Sequence, residues 1–176
     1  MGVVQGPDSN QDQNERFERL VNQCQASLLR TCYMYLRDRE QAEDAVQETF
    51  FKAYRNFGTF RGESAEKTWL MKIAINTCRD MRRTGWFLHM DRRMTPEMLP
   101  EASVPFEEIE EGLIVEVMNL PLRLREVVLL YYYQNMDTNE IAQTLGIARS
   151  SVSGRLQRAR KKLREILEGT DSDEGQ

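Results

Sequence analysis

The residues with chemistry to offer are concentrated between Asp137 and Arg164, DTNEIAQTLGIARSSVSGRLQRARKKLR, and that chemistry is recognition of nucleic acid. Ile141, Ala142 and Leu145 form an apolar stripe that ends at Gly146, a natural helix stop. After Ile147 and Ala148 a second stripe begins, with Val152, Leu156, Ala159 and Leu163 on one face. The opposite face carries Arg149, Arg155, Arg158, Arg160, Lys161, Lys162 and Arg164, with no acidic residue among them. A short helix, a glycine turn and a basic helix describe a helix-turn-helix whose second helix enters the DNA major groove. An ordinary solvated surface helix would not need charge of a single sign on one face.

Two further clusters lie upstream. Residues 38–54, DREQAEDAVQETFFKAY, read as an acidic amphipathic helix. Asp44 and Glu48 stand at i,i+4 and point the same way, with Gln47 and Phe50 beside them. Such a face suits docking to a basic partner helix. Residues 60–83, FRGESAEKTWLMKIAINTCRDMRR, place a glycine-bearing polar loop, Arg61 to Lys67, before a helix exposing Lys72, Asn76, Arg79, Arg82 and Arg83. That spacing suits a nucleic-acid backbone, although basic residues at a helix C-terminus also complement its dipole. Trp69 reads as core rather than as a stacking platform for a base.

Composition bounds the rest. The 176 residues carry a net charge of −4 at a pI near 5.2, so DNA affinity must come from local patches rather than a basic coat. Cys24, Cys32 and Cys78 are an odd number without CxxC or Cys/His spacing, which points to buried reduced thiols and to no metal. His89, the single histidine, has no nucleophile or ligand pattern around it, and no phosphate-binding glycine signature is present. No catalytic residue, cofactor or small-molecule substrate is expected. There is no apolar run of about eighteen residues to enter a membrane, so the expected location is the cytoplasm.

Apolar periodicity fixes the expected organisation as all-α. Residues 14–83 contain no proline and carry three helical stripes. The first is Phe17, Leu20, Val21, Cys24, Leu28, Cys32 and Tyr35; the second is Ala42, Ala45, Val46, Thr49, Ala53 and Phe57. Trp69, Leu70, Ile73, Ala74, Thr77 and Met81 make the third. The pattern dissolves between Thr84 and Pro105, interrupted by Pro96 and Pro100. It resumes with Phe106, Ile109, Leu113, Val117 and Leu120, and Pro121 opens a helix from Leu122 to Tyr133. The expectation is two small helical domains, 14–84 and 106–168. A flexible acidic linker, 85–105, joins them, and disordered tails occupy 1–13 and 169–176. Their relative position is expected to be set by a partner.

Three blocks in chain order, DREQAEDAVQETFFKAY (38–54), FRGESAEKTWLMKIAINTCRDMRR (60–83) and LPLRLREVVLLYYYQNMDTNEIAQTLGIARSSVSGRLQRARKKL (120–163), resemble the extracytoplasmic-function (ECF) sigma factors of bacterial RNA polymerase, a resemblance that runs from about Asn14 to Leu167. The resemblance implies a transcription initiation factor, not an enzyme, with core polymerase and promoter DNA as partners. Asp44, Gln47, Glu48 and Phe50 would dock on core polymerase. Arg61, Gly62, Glu63, Ser64, Ala65 and Glu66 would form the loop that captures a flipped −10 base, with Lys72, Asn76 and Arg79 along the −10 strand. Arg149, Ser150, Ser153, Gly154, Arg155, Gln157, Arg158 and Lys161 would recognise the −35 element. The linker would thread toward the RNA exit path. A cognate anti-sigma factor is implied as well, hiding the polymerase-binding surfaces. This chain departs from the family at Ala148, where a helix-capping Ser or a Pro is common, and Ser150 takes part of that role if the helix starts later. It departs again at Ser153 and Gly154, and at Glu66. The alternative is a free-standing helix-turn-helix regulator, which leaves residues 38–54 and 60–83 without a task.

Overall fold

The computed structural model describes residues 7–83, 94–95 and 111–170, and those residues form helices and turns without a strand. Three long helices make the first half: α1 (Pro7–Leu36), α2 (Arg39–Phe57) and α3 (Glu66–Arg83). The second half holds α4 (Glu111–Asn119), α5 (Leu122–Val128), α6 (Thr138–Leu145) and α7 (Arg149–Thr170). A π-helical turn, Leu129–Tyr133, continues α5. Helix α1 begins seven residues before Asn14, inside the stretch read as a tail. Most of the linker, with Phe106 and Ile109, lies outside the described residues.

Each helix follows from local chemistry. Asp38, extended at φ −142°, accepts the Gln41 amide and starts α2. All six residues of the expected α2 stripe are buried. In α3 the buried arc is rotated from the expected one. Met71, Ile75 and Cys78 are buried, while Trp69, Ile73 and Met81 are only partly covered. Helix α3 packs against α1 and α2 on one side and against α6 on another, so a wider arc is covered than one stripe predicts.

The helix-turn-helix is set by two terminal devices. Asp137 accepts the Asn139 and Glu140 amides at 2.7 and 2.9 Å, and the Glu140 carboxylate accepts the Asp137 amide at 2.8 Å. This reciprocal capping box satisfies donors that the first turn would leave bare. At the other end Gly146 takes φ 65°, ψ 38°, a left-handed conformation that glycine adopts without penalty. The chain then re-enters a helix at Arg149, with the Ser151 and Val152 amides both donating to the Ala148 carbonyl. Ser150 therefore sits inside the first turn of α7, and the cap role considered for it falls away.

The two halves are packed on each other, rather than held apart to await a partner. Their buried residues run into one apolar cluster. Across the joint Gln134 Nε2 donates to Thr31 Oγ1 at 2.6 Å, and Thr68 Oγ1 to Glu140 Oε1 at 3.1 Å. Within the linker, the described residue Met94 is anchored on α4. Buried Met94 exchanges two backbone hydrogen bonds with the Asn119 side chain, at 2.8 and 3.0 Å.

Replacing Asp137 with Ala is expected to lower stability by about 1 kcal/mol, the usual worth of an N-cap. Denaturant unfolding checks this; an unchanged midpoint would show that the capping box does not hold α6.

Candidate nucleic-acid and polymerase interface

Helix α7 divides its basic residues into committed and available groups. Arg149 Nε donates to Thr138 Oγ1 at 3.1 Å, pinning the helix start to α6. Arg160 Nε donates to Tyr132 Oη at 2.7 Å, and its guanidinium lies 5.7 Å from both the Tyr131 and Tyr132 ring centres. Arg155 donates to Glu126 Oε1 at 2.9 Å, with the carboxylate side chain 4% exposed and the guanidinium 16%. Lys161 faces Glu165 at 3.9 Å in an exposed i,i+4 pair. Arg158 has no acceptor among the described residues.

Ser150, Ser153, Gln157 and Arg158 are exposed on the same helix, whereas Val152, Leu156 and Ala159 are buried beneath. Of the residues expected to read DNA, Arg149 and Arg155 are engaged by Thr138 and Glu126 within the chain. Gly154 lies in a groove with Arg123, Arg155 and Arg158. A Cβ there would meet only the flexible end of Arg158, at 3.6 Å. Among the described residues, nothing excludes a side chain at 154.

In the first half, Arg61, Gly62, Glu63 and Ala65 are exposed and Ser64 is half-buried. Gly62 turns the loop at φ 70°. Glu66 belongs to the first turn of α3 and is paired with Arg16. The loop, Lys72 and the partly covered face of Trp69 line a pocket of about 580 Å³. Phe60 packs against Trp69 there, ring centres 5.0 Å apart. The indole is therefore part core and part pocket wall. Lys72 and Asn76 are exposed along α3.

Arg79 is not free on that track. Its Nη2 donates to both Glu126 oxygens at 3.3 and 3.2 Å, and its Nη1 to the Leu145 carbonyl at 3.2 Å. Burial alone would pull the guanidinium below its ordinary range, but the Glu126 charge and contact with Tyr35 carry it above. Tyr35 Oη donates to Glu126 Oε2 at 3.3 Å. Burial and the same carboxylate raise that hydroxyl far above its usual range, so it stays protonated. Glu126 was not singled out from the sequence. LREVV reads as an unremarkable helical step, and its two arginine partners lie 47 residues before it and 29 after.

Helix α2 presents Asp44, Gln47 and Glu48 exposed on one face. Phe51, 57% exposed, joins them in a shallow depression with Met81. Phe50 is instead packed against the core. Seven residues are close to two helical turns, which brings Phe51 back over Asp44, while Phe50 falls on another side. The spacing signal for Phe51 was in the sequence. All three cysteines are buried and unpaired. Cys78 is held well above the ordinary thiol range by a hydrogen bond with Cys32 and by burial, which leaves it a poor nucleophile at neutral pH.

The fold and these surfaces define a two-part all-α protein with a helix-turn-helix in its second half. Residues 20–87 match Sigma-70 region 2, and residues 113–163 match Sigma-70, region 4. The RNA polymerase sigma-H factor of Pseudomonas aeruginosa is 30% identical over 166 residues, spanning 86% of each chain. The ECF RNA polymerase sigma factor SigW of Bacillus subtilis is 28% identical over 87% of this chain and 89% of its own. Among solved structures, CnrH in complex with the cytosolic domain of CnrY has a TM-score of 0.65 and 24% identity, covering 89% of this chain and 90% of that one. RpoE of Bartonella quintana, in complex with the anti-sigma factor NepR, has a TM-score of 0.70 and 21% identity over 88% and 98%. These two show the shared fold.

The chain belongs to the sigma-70 family of RNA polymerase sigma factors, in its ECF group. It is accordingly a transcription initiation factor that works with core RNA polymerase on promoter DNA. Among the described residues no helix is long and apolar enough to cross a membrane.

The two arginines one turn apart on α7 should behave differently. Arg155→Ala is expected to destabilise the fold by about 2 kcal/mol, through loss of a buried charged hydrogen bond. Arg158→Ala should leave stability within ~0.5 kcal/mol and weaken promoter binding by ~1–3 kcal/mol on cognate DNA if it reads a guanine edge. Unfolding curves and competition binding check both. Equal loss on every DNA sequence would make Arg158 a phosphate contact instead.

Proposed function

We propose that this sigma factor grips promoter DNA at two points while α2 docks on core polymerase. The observation that carries the reading is the separation of surfaces: an acidic and aromatic face on α2, and basic, amide-bearing faces on α3 and α7. Phe51 with Asp44, Gln47 and Glu48 forms the docking face. It offers a desolvatable ring, covered on one side by the Arg55 guanidinium 5.6 Å from its centre, beside the Asp44 and Glu48 carboxylates, which suits a basic partner helix.

The loop Arg61–Ala65, with Glu66 at its helical end, holds an unstacked −10 base in the pocket walled by Trp69. Lys72, Asn76 and Arg79 follow the strand. Stacking on an aromatic face and pairing of phosphates with cations are the general means of holding single-stranded DNA. Ser150, Ser153, Gln157 and Arg158 read the −35 element, with Lys161 on the backbone and Gly154 permitting its close approach. Arg149 and Arg155 hold α7 in place beneath them. The domain limits follow the same division, with residues 14–84 serving the −10 side and 106–168 the −35 side.

Such a factor acts in the cytoplasm, where the polymerase and promoter are. A cognate anti-sigma factor that covers the docking face would control it. The fold relative from Bartonella quintana, solved with NepR, supports that expectation.

Run-off transcription with purified core polymerase on a promoter library tests the assignment. The native chain should produce discrete start sites absent from core alone. A chain carrying Asp44→Lys, Glu48→Lys and Phe51→Ala should lose core affinity by tenfold or more while melting cooperatively. Transcripts no different from core alone would defeat the promoter reading, and an unchanged core affinity would defeat the docking face.

A further inference from the structure

A glycine stands inside α7 where the fold has no use for it. Gly154 lies in the second turn of that helix. Glycine in a helix interior destabilises it relative to alanine, because it gives up more backbone freedom on folding. The backbone at 154 is not in the left-handed region that would call for glycine, unlike that of Gly62 and Gly146. Packing does not call for it either, since an added Cβ would meet only the Arg158 guanidinium, at ordinary contact distance. The missing side chain therefore serves something other than the fold.

What it opens is a groove of about 480 Å³ between two helices. Arg123 of α5 and Arg158 of α7 line it together with Ser150 and Ser151, and no carboxylate does. Arg123, Ser150, Ser151 and Arg158 are exposed. Neither the Arg123 nor the Arg158 guanidinium has an acceptor among the described residues. Arg155 borders the same groove, but its charge is turned onto Glu126. The groove thus offers two uncommitted cations, two hydroxyls and a stretch of bare backbone, which is a setting for an anion.

We propose that this groove seats one phosphodiester of the −35 duplex, with Arg123 as its cation and Gly154 as the gap that lets the phosphate descend onto α7. The proposal rests on the reading of α7 as the −35 helix and adds a contact from outside that helix. Arginine suits the task because its planar fork matches two phosphate oxygens at once. A phosphate contact carries no sequence information, but it fixes depth and register in the groove. Arg123 therefore positions α7, while Ser150, Ser153, Gln157 and Arg158 face the base edges. Arg149, Arg155 and Arg160 are engaged within the chain, so a cation lent by α5 supplies part of the backbone grip that α7 lacks.

The test is competition binding of holoenzyme, reconstituted with core polymerase, to a labelled promoter duplex that it transcribes. Arg123→Ala should lose affinity about fivefold, by the same factor on the cognate duplex and on one with a scrambled −35 element, and the slope of log K against log salt should fall by about one. Arg123→Lys keeps the charge and should recover most of that loss. Gly154→Ala should unfold at higher denaturant than the native chain and yet bind about threefold more weakly. Neutral methylphosphonates placed one at a time through the −35 element should weaken the native factor at one position where Arg123→Ala is insensitive. Native affinity in Arg123→Ala, or in a Gly154→Ala chain of raised stability, would overturn the proposal. A loss confined to the cognate duplex would make Arg123 a base contact and overturn it as well. Equal binding of native holoenzyme to the cognate and scrambled duplexes would instead overturn the −35 reading beneath it.

Discussion

One carboxylate organises this molecule. Glu126 is buried with a side chain 4% exposed and accepts from Arg155, Arg79 and Tyr35. Removing a carboxylate from water costs several kcal/mol unless cations and hydrogen bonds replace the solvent. Arg155 supplies that replacement inside the second half and so ties α7 to α5. Arg79 adds a second cation from the first half, and Tyr35 a neutral donor from α1. The reading helix and the joint between the halves therefore depend on the same two oxygens. An arginine answers both needs because its planar fork reaches two acceptors at once. Arg79 uses this on Glu126 and on the carbonyl end of α6.

Much of the architecture was legible because apolar periodicity reports burial directly. The α2 stripe from Ala42 to Phe57 is buried as a set, and Val152, Leu156 and Ala159 lie under α7 as spaced. The capping signals were equally local: Asp137 and Glu140 three residues apart, and Gly146 at the helix end. What sequence could not display was pairing at a distance. Nothing in LREVV identifies Glu126 as a partner of residues 47 positions before it and 29 after. For the same reason Arg149 and Arg155 looked like members of one reading face, when their guanidiniums are engaged by Thr138 and Glu126. Phe50 and Phe51 differ in another way. Helical phase distinguishes them, and the aromatic residue beside Asp44 and Glu48 is the later one. The contact between the halves was missed because proline punctuation marks a linker but carries no information about what docks across it.

These features make sense together in a factor whose DNA surfaces must be weak alone and effective on the polymerase. The net charge of −4 and the engagement of Arg149, Arg155 and Arg160 by partners within the chain leave few cations of α7 open to DNA. The acidic and aromatic face of α2, with Asp44, Gln47, Glu48 and Phe51, is exposed.

Arg79 on Glu126 is the charged contact between the halves, added to their shared apolar cluster and to the Gln134–Thr31 and Thr68–Glu140 hydrogen bonds. Spin labels at Glu40→Cys on α2 and Lys162→Cys on α7, both exposed positions, would measure the distance between the halves by pulsed electron resonance. One narrow distance in the chain with Arg79 intact, becoming a broad distribution with Arg79→Ala while both halves stay folded, is the expected result. A broad distribution with Arg79 intact, or a narrow one that survives its removal, would contradict the account.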